Sequence, residues 1–182
     1  LRDPTTELQD IKLSTGGKEL ALKRGPAGSG GWDFVQPANF GKADVGGDTA
    51  PNADAITGVR PLLNLLANVQ AAGNDDYIEK PGDLAQYGLN PGNPEAVRIE
   101  LVPQTGSPEV LVLGKAVEEN GKPVAPPKVY ARVDGDSVVV KVPFDRLAAL
   151  RKTILEPGVL RNRDLFAEGA KDRIDALNVN LG

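Results

Sequence analysis

The chain has 182 residues, 40% apolar and 25% charged, which suits one domain that buries roughly 70% of the unfolded chain's surface. A net charge of −4 and a pI near 5.0 leave no basic footprint for a nucleic acid and disfavour anionic membrane surfaces. The absence of Cys and His removes disulfides, thiolate chemistry, the commonest general base and the commonest transition-metal ligand.

The first elements read as strands. Residues 8–13 and 18–24 carry alternating apolar positions, Ile11 and Leu13, then Leu20 and Leu22. Ser14-Thr15-Gly16-Gly17 between them is a hairpin signal. Residues 25–31 form a glycine-rich connector. Trp32-Asp33-Phe34-Val35 is a third strand, stopped by Pro37, and the three make a meander. Residues 38–55 are rich in Gly, Asp, Ala and Pro and read as a loop.

Helical spacing follows. Ile56, Val59, Leu62, Leu63, Leu66 and Val69 fall on one apolar stripe, with Pro61 in the first turns and Ala72-Gly73-Asn74 as the stop. A second short helix is predicted over 81–87. Gly88 is its left-handed terminator, Leu89 folds back on Leu84, and Pro91 blocks continuation.

From residue 96 the period returns to two. Val97, Ile99 and Leu101 alternate, and Val110 to Leu113 is apolar throughout, as in a central strand. Residues 115–127 read as a Gly- and Pro-bearing loop. Val129, Ala131 and Val133 alternate, as do Val138, Val140 and Val142, with Asp134-Gly135 as the hairpin signal between them. Phe144, Leu147, Leu150, Ile154 and Leu155 mark a further helix, interrupted by Pro157-Gly158, and 159–166 is a turn. A last strand carries Ile174, Leu177, Val179 and Leu181. With aromatics at 4%, the core is built from Val, Leu, Ile and Ala.

The expected fold is therefore α+β: an antiparallel sheet, or two small ones, with helices packed on one face. The domain is expected to span 1–182. Residues 173–179 resemble residues 8–13, so an alternative division is one repeat unit at 8–166 plus the first strand of a next unit at 172–182. No run of about 18 apolar residues is present, so this fragment is expected not to insert into a membrane. The chain contains no Met and is read as a piece excised from a longer protein, or a processed product.

An ordered set of motifs carries a family resemblance. Trp32-Asp33-Phe34-Val35-Gln36-Pro37 is followed by Lys42-Ala43-Asp44, then by Leu62-Leu63-Asn64-Leu65-Leu66 and by Asp83-Leu84-Ala85-Gln86-Tyr87-Gly88-Leu89. Next come the strand Val97 to Leu101, Val112-Leu113-Gly114, Val129-Tyr130-Ala131-Arg132 and Leu160-Arg161-Asn162-Arg163-Asp164-Leu165. Over about residues 8–181 the chain resembles the bacterial domain-of-unknown-function family 4340. The resemblance implies an extracytoplasmic envelope protein whose membrane helix lies outside this chain. It also implies encoding beside gliding-motility-type ABC transporter components. It implies no activity and supplies no catalytic, cofactor or metal residues. The long insertion between Ala43-Asp44 and the helix departs from the family pattern.

The candidate constellations each meet a plainer explanation. Ser14, Ser29, Ser107 and Ser137 all read as turn residues, and no histidine can serve as their base. A Ser–Lys dyad would need a serine on a strand-to-helix elbow. The carboxylate pairs Asp75–Asp76 and Glu118–Glu119 read as solvated loop charge rather than glycosidase machinery. Asp134-Gly135-Asp136 is too short for a calcium loop. Gly25, Gly28, Gly30 and Gly31 lack the Lys-Ser/Thr of a phosphate loop and lead into a strand. Arg161, Arg163 and Asp164 read as a helix-end charge cluster, with an anion or partner contact as the functional alternative. Trp32 reads as core, and Tyr87 and Tyr130 as packed rings.

The first functional expectation is a non-enzymatic interaction or scaffolding module, with envelope or transporter proteins as partners and no cofactor. The second is a domain that binds a small molecule or a cell-wall polymer, and the third an unrecognised hydrolase. Converging Arg and Tyr side chains in a deep pocket favour the second. An exposed apolar patch or open sheet edge favours the first, and a carboxylate of raised pKa in a cleft the third.

Overall fold

The computed structural model describes residues 8–26, 31–46 and 54–164. The expected α+β class is found, as a nine-stranded antiparallel sheet with two α-helices on one face.

The chain opens with β1 (Leu8–Thr15) and β2 (Lys18–Arg24), joined by Gly16-Gly17. Both glycines have positive φ, 56° and 72°, as a two-residue turn between right-twisted strands requires. β3 (Trp32–Gln36) continues the meander. Residues 38–55, expected to be a loop throughout, contain a short edge strand, β4 (Lys42–Ala43), held by the Trp32–Ala43 and Asp33–Lys42 pairs.

Helix α1 (Val59–Ala67) carries Pro61 in its first turn. Its buried stripe is Val59, Leu62, Leu63 and Leu66. It ends well before the expected Ala72-Gly73-Asn74, because Asn68 stops it: the side-chain amide donates to the Asn64 carbonyl at 2.7 Å. Gly73 instead precedes a 3₁₀ turn, Asn74–Asp76, that leads into β5 (Tyr77–Ile78).

The helix expected over 81–87 is a shorter 3₁₀ turn, Leu84–Tyr87, capped by the Asp83 carboxylate on the Ala85 N–H. Its end is as expected. Gly88 is left-handed at φ 69°, its N–H donates to Ala85, and the Leu89 N–H donates to Leu84.

Next come β6 (Val97–Pro103) and β7 (Glu109–Ala116). Residues 115–127, expected to be a loop, hold a separate small hairpin, β8 (Glu118–Glu119) and β9 (Lys122–Pro123). Asn120 and Gly121, both left-handed, turn it. β10 (Lys128–Val133) and β11 (Val139–Pro143) form the predicted hairpin. Val138 lies in its loop, so the expected alternation of Val138, Val140 and Val142 begins one residue late. Val139, fully buried, faces away from Val140 and Val142.

Helix α2 (Leu147–Leu155) buries Ala149, Leu150, Thr153 and Ile154. Leu155, expected in the apolar stripe, is 52% exposed, because the buried face closes on Thr153 and Ile154 instead. A 3₁₀ turn at Pro157–Leu160 follows, and Arg161 bridges Ala43 on the edge strand. The predicted strand at 174–181, the repeat at 172–182 and the end of the 159–166 turn lie outside the described residues.

The sheet runs β4-β3-β2-β1-β6-β7-β10-β11-β5. Inward residues Ile11, Leu13, Leu20, Leu22, Val97, Ile99, Leu113, Val129 and Val142 meet both helices in one apolar core. Trp32 belongs to it, at 3% exposure.

Candidate functional site

The opposite face of the sheet is partly roofed. Register places Glu19, Ser14, Arg98, Val112 and Arg132 in one row across β2, β1, β6, β7 and β10. Each alternates with an inward apolar neighbour, so the row points away from the core. Arg98 and Arg132 flank Val112, with backbones about 10 Å apart at two strand spacings.

The two arginines converge on one carboxylate. Asp134 lies 2.8 Å from Arg98 Nη2 and 3.8 Å from Arg132 Nη2. It sits just past β10, where its N–H donates to the Val110 carbonyl. The Arg98 guanidinium holds its carboxyl below the ordinary carboxylate value.

Residues 89–96 form a wall over this row, bounding a cleft of about 530 Å³. The wall is pinned at several points. Asn93 donates to Gly88 at 2.7 Å and accepts from the Glu95 N–H at 3.0 Å. The Pro94 carbonyl accepts from the Gly16 N–H at 2.8 Å and from the Thr15 hydroxyl at 3.3 Å. Arg151 reaches from α2 to the Glu95 carbonyl. The cleft is therefore preorganised by backbone contacts.

Beside the cleft, Tyr87 and Leu89 cross β7 at Gly114. A Cβ on Gly114 would lie 2.2 Å from the Tyr87 carbonyl oxygen and 3.1 Å from the Leu89 side chain. Only a glycine allows that approach. Tyr87 packs edge-on against Tyr130, ring centroids 4.9 Å apart, and burial beside Tyr87 raises the Tyr130 pKa.

On the helix side, an apolar groove of about 410 Å³ runs beyond the end of α1. Leu66, Val69, Leu101, Leu111 and Val133 line it, and Val133 is 51% exposed.

Of the residues singled out in the sequence, Tyr87 and Tyr130 pack together and Ser14 and Asp134 both line the cleft, while the others lie apart. Ser14 stands in β1 rather than a turn, and its side chain faces the cleft. Ser107 and Ser137 lie in separate loops, and Ser29 is outside the described residues. Asp75 is exposed, but Asp76 corrects the expectation of solvated charge. It is 6% exposed and bonds Lys128 Nζ at 2.6 Å, because the 3₁₀ turn folds it against the start of β10. Glu118 and Glu119 are exposed in β8. Asp136 accepts from the Val138 N–H, a turn contact. Gly25 donates to Gly31 across the connector, and Gly28 and Gly30 are outside the described residues. The Arg161 guanidinium lies over the Phe40 ring at 5.1 Å. Arg163 is exposed, and the Asp164 N–H bonds the Asn162 side chain.

Arg98, Arg132 and Lys18 were not singled out by sequence. The available signal is an arginine between two inward apolar residues, as in Val97-Arg98-Ile99 and Ala131-Arg132-Val133. Their adjacency depends on strand pairing. Among the described residues, no group of three or more Asp or Glu is placed to hold a metal ion, and no helix is long and apolar enough to cross a membrane. No family model, curated protein or solved structure matches the chain.

Proposed function

We propose that this chain is a non-enzymatic recognition module, an interaction or scaffolding domain of a membrane-anchored bacterial envelope protein. The reading places it on the extracytoplasmic side, with envelope or transporter proteins as partners. The resemblance of the motif order to family 4340 supports the location. The observation that carries the recognition role is the preorganised cleft where Arg98 and Arg132 converge on Asp134. Paired guanidiniums suit the reading of a carboxylate, not proton transfer, since arginine stays protonated at any working pH. The apolar groove with exposed Val133 adds a second surface of the kind partner proteins cover.

The cleft volume also falls in the small-ligand range, which favours the alternative of a small-molecule or cell-wall-polymer site. Converging arginines fit that reading, but none of the tyrosines lines the cleft. Crosslinked capture from solubilised bacterial envelope, with the purified domain as bait, separates the two. Reproducible enrichment of an envelope protein, lost with a charge-reversed Arg98→Glu/Arg132→Glu bait, is the expected result. Capture of no envelope protein above a bait-free control, with a thermal shift on adding a small acid, overturns the scaffold reading in favour of the alternative.

A further inference from the structure

We infer that the cleft receives a single carboxylate presented by an extended segment of a partner protein, and that Asp134 holds that place when the partner is absent. The inference rests on the interaction-module reading and names the chemistry of the partner.

Four observations carry it. The Asp134 carboxylate is hydrogen-bonded by Arg98 and stands at ion-pair distance from Arg132, so both guanidiniums approach one anion position. Arg132, at 3.8 Å, lies beyond hydrogen-bond range of it, so the donor edge of Arg132 is not spent on Asp134. Asp134 is about half exposed and anchored through its backbone N–H, so its side chain can leave without disturbing the strand. An exposed ion pair of this kind holds weakly, so an incoming carboxylate displaces it at small cost.

Charge and shape narrow the ligand. Lys18, Arg98 and Arg132 face Glu19 and Asp134, so the cleft carries one net positive charge in a chain of net −4. Lys18 makes no ion pair among the described residues. One surplus positive charge matches one carboxylate, and the two acidic side chains repel a polyanion. No aromatic side chain lines the cleft, so a sugar ring has no stacking platform. Val112, between the arginines, offers an apolar floor for the residue next to the acid. The pinned 89–96 wall keeps this geometry ready before binding.

The test uses the purified chain and short peptides, acetylated and amidated, with a fixed central glutamate and randomised neighbours. Each peptide is paired with its glutamine twin, and binding is read by fluorescence anisotropy. The best glutamate peptides should bind about tenfold tighter than their twins, the factor expected of a charge-assisted pair. Arg98→Gln/Arg132→Gln should erase that preference. Asp134→Asn, which leaves arginines and fold in place, should tighten binding by about threefold or more. Equal binding of the twins overturns the inference. So does an acid preference that survives the double substitution, or an Asp134→Asn chain that binds no tighter. Succinate competing as well as the peptide identifies a free-acid site and overturns the partner-segment claim. If capture of an envelope protein persists with the double-substituted bait, the interaction reading stands and the carboxylate inference alone fails.

Discussion

Asp76 is a buried charge outside the cleft lining, and its value is structural. Lys128 donates to it, and that bond lowers its pKa below the ordinary 3.8, against the opposing effect of burial. A carboxyl with a lowered folded pKa stabilises the fold fully above its unfolded value. That contribution disappears as pH falls through the folded one. Asp76→Asn should therefore cost about 1–2 kcal/mol at pH 7, with Lys128 one-quarter exposed and partly screened. The deficit should shrink as pH falls below the ordinary carboxylate range, which urea unfolding of both proteins from pH 7 to 2 will measure. The Asp134 carboxyl is also held below the ordinary carboxylate value, so the difference between the two proteins is the informative quantity. Gly114 makes the second prediction at this scale. Gly114→Ala drives a Cβ into the Tyr87 carbonyl oxygen and should destabilise by about 2–4 kcal/mol. The near-UV signal of the Tyr87–Tyr130 pair should weaken with it. Neither residue was legible beforehand. Asp76 looked like one of two adjacent loop acids, and Gly114 stood only as the last residue of the Val112-Leu113-Gly114 motif. The cleft arginines were visible as residues but not as neighbours.

Among the elements, α2 shows how a polar side chain can set a packing angle. Thr153 is fully buried. Its hydroxyl accepts the Ile56 N–H at 2.8 Å and lies 2.9 Å from the Ala149 carbonyl, to which it donates. This fastens α2 to the segment entering α1. Thr153→Val keeps the shape but strands the Ile56 N–H and should cost about 1–3 kcal/mol in urea unfolding. Leu155→Lys, two residues on, should fall within about 0.5 kcal/mol of wild type, because that side chain is half in solvent. Element type was legible wherever the apolar period was sustained, as in β1, β2, β6, β10 and α1. Boundaries were less so, because local side-chain bonds decide them. Asn68 ends α1 through the Asn64 carbonyl, and no periodicity encodes that contact. The β8–β9 hairpin escaped notice because its strands are two residues each, too short for alternation to register.

At the scale of the molecule, the pairing that matters most joins residues far apart in sequence. β1 pairs with β2 across a two-residue turn, which sequence revealed, and with β6 some eighty residues later, which it did not. That second ladder, Ile11 with Leu101 and Leu13 with Ile99, fuses the N-terminal meander to the β6-β7-β10-β11 half. The core then runs without a break from Trp32 near one edge to Val142 near the other, under both helices. A sheet so joined should unfold as one cooperative unit. Trp32 fluorescence reports the β3 side, and near-UV ellipticity of the tyrosine pair the β10 side. The two transitions in urea should coincide. Leu13→Ala, at the junction, should lower both midpoints together at a cost of about 2–5 kcal/mol, since Leu13 is 1% exposed. Separate midpoints, or a Leu13→Ala effect confined to the tryptophan signal, would mean that the two halves fold independently. The arginine row spans the junction, with Ser14 on β1 and Arg98 on β6. Independent halves would then leave Arg98 and Arg132 together on one unit and the cleft-lining residues Gly16 to Glu19 on the other. Cleft and fold should therefore be lost at the same denaturant concentration, because one pairing register builds both.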